Sequence, residues 1–75
     1  MKSLQWYQGL LDSYVKAETL DLYKIPKTDQ NTKLIQAQAH RGYKRFYESL
    51  SLAEINELGI RHPLQVKPYE IVQID

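Results

Sequence analysis

The hydrophobic positions of residues 31–50 repeat at helical spacing and predict the central helix of the protein. Successive residues of an α-helix turn by about 100°, and on that wheel the apolar positions fall within an arc of roughly 140°. They are Ile35, Ala39, Gly42, Tyr43, Phe46, Tyr47 and Leu50. We expect this arc to be buried. Gly42 within it indicates a close helix crossing, because a glycine inside a helix costs about 1 kcal/mol relative to alanine.

The opposite side of the same helix carries basic side chains, and we call it the basic face. Its members are Lys33, His40, Arg41, Lys44 and Arg45, with no acidic residue among them before Glu48. Such a face is typical of a solvated helix, an acidic protein surface or a nucleic acid as the neighbour. In the last case its lysines and arginines would neutralise about four phosphates, and Tyr43 and Tyr47 at its border would stack on bases.

A second helix is predicted from Ser3 to about Glu18, where apolar residues again recur three or four positions apart. Ser3 is the expected N-cap. The apolar arc covers about half of the wheel, which is wider than one helix contact needs. We therefore expect this helix to pack on two neighbours, or on one neighbour and a second chain. Trp6, at the edge of the arc, is expected at an interface, and Tyr43 and Tyr47 are further aromatic candidates.

The segment between these helices is less determined by its pattern. Residues 19–25 fit either a short strand or the frayed end of the first helix, and Pro26 stops both. The polar residues 26–32 are predicted to form a connector. Asp29, Asn31 or Thr32 is the expected cap of the central helix.

A short third helix is predicted after the central one. Ser51 and Glu54 have the spacing of a capping box, and Gly59 is placed to end the helix with Ile60 folding back on Ile55. The same spacing fits the first helix of a helix-turn-helix, but Pro68 would break the recognition helix that should follow.

The C-terminal residues 64–74 are rich in residues that favour strands, and Pro68 restricts them to an edge strand or an extended arm. The predicted fold is thus mainly α within a small α+β class. It has two longer antiparallel helices, one short capped helix, and a C-terminal extended segment or minor strand. Residues 1–75 are expected to form a single domain.

Composition restricts how so small a domain can be stabilised. The 75 residues contain no cysteine and two histidines, so disulfides are excluded, and we expect neither a metal site nor a cofactor. Oligomerisation is the remaining means of support for a short chain. Six tyrosines, one tryptophan and one phenylalanine are a large aromatic content for one small core, which favours a homodimer.

Charge and chemistry exclude further classes. Ten basic and nine acidic residues give a net charge of +1, so binding to nucleic acid would depend on local clustering. No apolar run approaches the length of a membrane span, so we expect a cytoplasmic protein that does not associate with membranes. His40 and His62 lack a recognisable nucleophile or orienting carboxylate, so we expect no enzyme activity.

The leading hypothesis from the sequence is a small non-catalytic binding protein. It would act as a regulator or inhibitor by occupying a surface of a larger protein, as a homodimer. The alternative is a nucleic-acid-binding protein that uses the basic face of the central helix.

Overall fold

The computed structural model describes residues 2–71, and within that range the chain forms four α-helices and no β-strand. The helices are α1 (Leu4–Thr19), α2 (Asp29–Glu48), α3 (Leu52–Leu58) and α4 (Pro68–Ile71). Two 3₁₀ turns lie between them, at Leu22–Lys24 and Pro63–Gln65. The prediction of a mainly helical protein is confirmed.

The two segments predicted as candidate strands form no strand where the structure describes them. Residues 19–25 end α1 and then form the first 3₁₀ turn, and residues 64–71 contribute to the second 3₁₀ turn and to α4. For the second segment the reason is the position of the prolines: Pro63 and Pro68 each begin a helical turn, where a fixed φ and a missing N–H are favourable. Residues 72–74 of the predicted arm lie outside the described residues.

The N-terminal caps are partly as predicted. Ser3 caps α1, with its hydroxyl accepting the N–H of Trp6 at 3.1 Å. The prediction of the α2 cap is wrong. Thr28 is the N-cap residue, and its hydroxyl accepts the N–H of Asn31 at 3.1 Å. The Asn31 side chain donates instead to the carbonyl of Pro26 at 2.8 Å, which closes the connector onto the helix start.

The third helix has the ends that its sequence predicts. The hydroxyl of Ser51 accepts the N–H of Glu54 at 3.2 Å, and the Glu54 carboxylate accepts the N–H of Ser51 at 2.9 Å. Gly59 ends the helix in the left-handed region at φ 65°. The N–H of Ile60 then donates to the carbonyl of Ile55 at 3.1 Å, the backbone bond of a Schellman motif.

α1 and α2 cross at Gly42, as the sequence predicts. A Cβ atom added at Gly42 would lie 2.7 Å from Cα of Val15 and 2.8 Å from the carbonyl oxygen of Tyr14. The two backbones therefore approach too closely for any side chain between them. α2 continues without a break through this crossing to Glu48.

The core lies between α1, α2 and the segment that leads into α4. It consists of Tyr7 and Thr19 from α1, of Ile35, Ala39, Tyr43 and Phe46 from α2, and of Val66. The α2 members all belong to the apolar arc predicted from the sequence. Because the chain after α3 folds back along α2, the core is closed by residues that lie far away in sequence.

Candidate binding surfaces

Trp6 lies on the surface near the beginning of α1, in contact with Tyr7 and Lys2. Trp6 is 45% exposed. The ring meets that of Tyr7 edge-on, with centroids 5.0 Å apart, and Nζ of Lys2 lies 5.4 Å from the indole centroid. An aromatic edge and a cation each stabilise a ring in this way by roughly 0.5–1 kcal/mol. The indole therefore has two stabilising contacts and is still partly exposed.

Tyr7, which supports Trp6, is itself held by α3. Tyr7 is 3% exposed and its hydroxyl donates to Oε2 of Glu54 at 2.5 Å. Oε1 of the same carboxylate accepts the N–H of Ser51, so one side chain caps α3 and also joins it to α1. A continuous set of contacts thus runs from the α3 cap through Glu54 and Tyr7 to Trp6.

The hydrogen bonds of this set change two ionisation equilibria. The N–H of Ser51 and then the hydroxyl of Tyr7 stabilise the charged carboxylate, which lowers the pKa of Glu54 below its ordinary value of 4.5. The same carboxylate, together with desolvation, raises the pKa of Tyr7 above its ordinary value of 10.0. Sequence reasoning identified Glu54 only as a cap, because no local pattern indicates a partner 47 positions away.

Three members of the basic face are open to solvent. Lys33, Arg41 and Lys44 are exposed, and none of them forms an ion pair among residues 2–71. Arg45 is 59% exposed, but its Nε donates to Oε1 of Glu18 at 3.0 Å. Arg45 therefore also ties α2 to α1, a pairing that helical wheels drawn separately for each helix did not reveal.

His40 differs from the expectation that it lies on the solvent side of α2. It is partly buried, and its Nε2 lies 2.8 Å from the carbonyl oxygens of both Pro63 and Val66. Carbonyl oxygens only accept, so Nε2 carries a proton and donates. The histidine holds the returning segment against α2, and the wheel missed this because it does not show which segment packs beside the helix.

The two tyrosines named with Trp6 have structural contacts as well. Tyr43 lies in the core, and its hydroxyl donates to the carbonyl of Arg61 at 2.7 Å. Burial raises the pKa of Tyr43 above 10.0. Tyr47 is half-buried, with its ring edge-on to His62 at a centroid distance of 5.1 Å. Of the three aromatic candidates, Trp6 offers the most surface.

An apolar groove that the sequence did not predict as a site runs beside the C-terminal half of α1, and we call it the α1 groove. It has a volume of about 470 Å³. It is lined by Leu11, Asp12, Val15, Lys16, Thr19, Leu20, Tyr23 and Ile71. Leu20 is 60% exposed and Tyr23 is 47% exposed, so large apolar side chains border the groove without filling it. The broad apolar arc of the first predicted helix was the signal for this surface.

The described residues were also searched for a metal site and for a membrane-spanning helix. Residues 2–71 contain no group of three or more histidine, aspartate or glutamate side chains arranged to hold a metal ion. None of the helices in the same range has the length and apolar character needed to span a bilayer.

Comparison of the chain with protein-family models, with curated proteins and with solved structures found no match.

Proposed function

We propose that this chain is a small non-catalytic binding protein that regulates or inhibits a larger protein by occupying part of its surface, and that it does so as a homodimer. The observation that carries the proposal is Trp6. A large aromatic side chain is 45% exposed while its ring contacts Tyr7 and Lys2. The partner surface that fits it is an apolar pocket with an acidic group near Lys2.

Fixing the indole before binding increases its contribution to affinity. Tryptophan is among the residues that most often dominate protein interfaces. Ordering a free side chain costs about 0.5–1.5 kcal/mol on association. The contacts of the ring with Tyr7 and Lys2 restrict this side chain before binding, which lowers that cost.

The use of the titratable side chains supports a non-catalytic role. His40 holds the returning segment, and Nδ1 of His62 accepts the N–H of Leu64 at 3.0 Å. Glu54 caps α3, and Glu70 accepts the N–H of Lys67 at 2.6 Å and pairs with Arg61 at 3.1 Å. These groups maintain the fold instead of meeting in a reactive cluster. A cytoplasmic location, expected from the composition, belongs to the same proposal.

The test is capture from an extract of the native cells on the immobilised full chain, followed by titration with the purified captured protein. We expect a saturable complex that Trp6→Ala weakens by about 30-fold, since an interface hot spot contributes about 2 kcal/mol or more. Tyr69→Ala is the matched control, because Tyr69 is also exposed, at 62%. Circular dichroism should show both variants folded. A complex that Trp6→Ala and Tyr69→Ala weaken equally, or no saturable complex, would contradict the proposal.

A second candidate function is binding to nucleic acid. The observation that favours it is the exposure of Lys33, Arg41 and Lys44 on one helix without ion-pair partners among residues 2–71. Three phosphate contacts on DNA would give a log–log salt slope of about −2.7. Arg41→Glu with Lys44→Glu should then abolish a mobility shift that Trp6→Ala leaves unchanged. The absence of any shift at low salt, with DNA or RNA, would remove this candidate.

A further inference from the structure

We propose that residues 51–60, which we call the α3 strap, open away from α1 while the rest of the fold persists, with the hydrogen bond from Tyr7 to Glu54 as the latch. The open form uncovers an aromatic surface beside Trp6. This opening is a property of the chain alone, so it goes beyond the proposed function and can be tested without a partner.

The buried core contains no residue of the α3 strap. Its members come from α1, from α2 and from Val66, whereas residues 51–60 are all exposed or half-buried. Leu52, the first residue of α3, is 79% exposed. Opening of the strap therefore exposes much less apolar area than unfolding of the core does. The strap can thus open at a lower free energy than the whole chain unfolds.

Both ends of the α3 strap are tied to the C-terminal half of α2. Before the strap, the N–H of Leu50 donates to the carbonyl of Tyr47 at 3.2 Å. After it, the hydroxyl of Tyr43 donates to the carbonyl of Arg61 at 2.7 Å. These two bonds lie outside the strap, so they can remain when it opens. The moving part is therefore bounded by two fixed points of the fold.

The α3 strap covers a space that no side chain fills. This space has a volume of about 180 Å³, and Leu58 and Ile60 of the strap line it together with Tyr7 and Phe46 of the helices. Side chains that face an empty space lack dispersion contacts on that side, so packing holds the strap weakly. Tyr7 and Phe46 are each 3% exposed. Opening uncovers their sides that face the space, next to Trp6.

The latch is a charge-assisted hydrogen bond. The Tyr7 hydroxyl donates to Oε2 of Glu54 at 2.5 Å, and a bond to an ionised acceptor is roughly twice as strong as one between neutral groups. The other charged side chains that line the cleft around Glu54 are Lys2, before α1, and Glu57, on α3. Among the described residues, α2 contributes no side chain to this cleft. The strength of the latch therefore depends on the charge of Glu54.

The first experiment is native-state hydrogen exchange of the full chain at neutral pH, measured for each amide by NMR. The amides of Ile55 and Ile60 report on the strap, since they donate to carbonyls within it and so short a helix does not persist once detached. The amides of Tyr43 and Phe46 report on α2. We expect the strap amides to be less protected than the α2 amides by about tenfold or more.

Two variants distinguish opening of the strap from unfolding of the chain. Tyr7→Phe should lower the protection of strap and α2 amides alike, by about tenfold, because both the open and the unfolded form lack the latch. Ile35→Val is the matched control. Ile35 is fully buried in the core and stays buried in the open form, so this change should lower only α2 protection, by about fivefold.

Two outcomes would overturn the proposal. If Ile35→Val lowers the protection of strap and α2 amides equally, the strap opens only when the whole chain unfolds. If Tyr7→Phe leaves the protection of the strap amides unchanged, the bond to Glu54 is not the latch.

The second experiment tests the charge of the latch with Glu54→Gln. Glutamine keeps an oxygen for the N–H of Ser51, as capping boxes allow, but is neutral. It should lower strap protection by about fivefold or more. Glu57→Gln is the control and should have no effect, because Glu57 lines the same cleft but the Tyr7 hydroxyl donates to Glu54. Equal effects of the two changes would contradict the assigned role of Glu54.

A double variant separates the latch from the cap. The effect of Glu54→Gln on strap protection should be smaller in a Tyr7→Phe background, since both changes weaken the same bond. An effect of the same size in both backgrounds would show that Glu54 acts on the strap only as the cap of α3.

Discussion

Where α1 crosses α2, the two backbones touch at Val15 and Gly42, whereas α1 reaches α3 through a hydrogen bond between Tyr7 and Glu54. The first contact is steric and involves no ionisable group. The second depends on a carboxylate that is charged and a phenol that is not. The stability of the two contacts should therefore respond to different perturbations: side-chain volume at the crossing, and pH at the α3 contact.

The helix crossing and the Tyr7–Glu54 hydrogen bond support the Trp6 surface in different ways. The crossing positions α1 relative to the core, since it leaves no space for a side chain at Gly42. The Tyr7–Glu54 bond fixes the ring on which Trp6 rests. Volume changes should thus affect the whole fold, and loss of the hydrogen bond should affect chiefly the exposed aromatic surface.

The largest effect is expected at the crossing. Gly42→Ala should lower the free energy of unfolding by about 2 kcal/mol, because the new methyl group would meet backbone atoms that cannot rotate away. This value already includes the gain in helix propensity of about 1 kcal/mol. Urea denaturation monitored by circular dichroism measures it. A Gly42→Ala protein as stable as wild type would show that the backbones do not approach as described.

A smaller effect, dependent on pH, is expected at the α3 contact. The lowered pKa of Glu54 means that its contribution to stability is present above pH 4.5 and is lost as the pH falls through the folded value. The raised pKa of Tyr7 means that its contribution is present below pH 10.0 and is lost as the pH rises through the folded value.

Tyr7→Phe isolates this contribution. We expect the variant to be less stable than wild type, and the difference in urea midpoint to be constant between pH 4.5 and 10.0. The difference should shrink as the pH falls through the folded pKa of Glu54 or rises through the folded pKa of Tyr7, since the bond between carboxylate and phenol is then lost in wild type as well. Tyr43→Phe is the control: its hydroxyl donates to a backbone carbonyl, so its difference from wild type should not shrink in acid. A Tyr7→Phe difference that persists after the pH has fallen through the lowered, folded pKa of Glu54 would contradict the role of the ionised carboxylate.

The smallest effect is expected on the other helical glycine. A Cβ atom added at Gly9 would have no atom within 4 Å, so nothing in the fold opposes a side chain there. Gly9→Ala should raise the free energy of unfolding by about 0.5–1 kcal/mol, as helix propensity predicts. The same glycine-to-alanine change should therefore stabilise the protein at Gly9 and destabilise it at Gly42. A destabilising Gly9→Ala would indicate that α1 has a neighbour at that position.

Local rules account for the elements that the sequence predicted correctly. Ser3, the Ser51–Glu54 capping box and Gly59 act on backbone groups within a few residues, so their roles can be recognised without a fold. The apolar arc of α2 is equally local, because helical periodicity determines which residues share a face. Gly42 could be assigned to a crossing since a glycine inside a helix is unfavourable without one.

The sequence by itself therefore determined that the protein is mainly helical, where α3 begins and ends, and which face of α2 is buried. Only the tertiary structure decided that His40 holds the returning segment, that Arg45 pairs with Glu18, and that Glu54 supports Tyr7. These contacts join residues from different elements, and their formation depends on how the elements pack, which no periodicity or cap encodes. For the same reason Leu20 could be seen as apolar in the sequence, while its place beside an open groove required the fold.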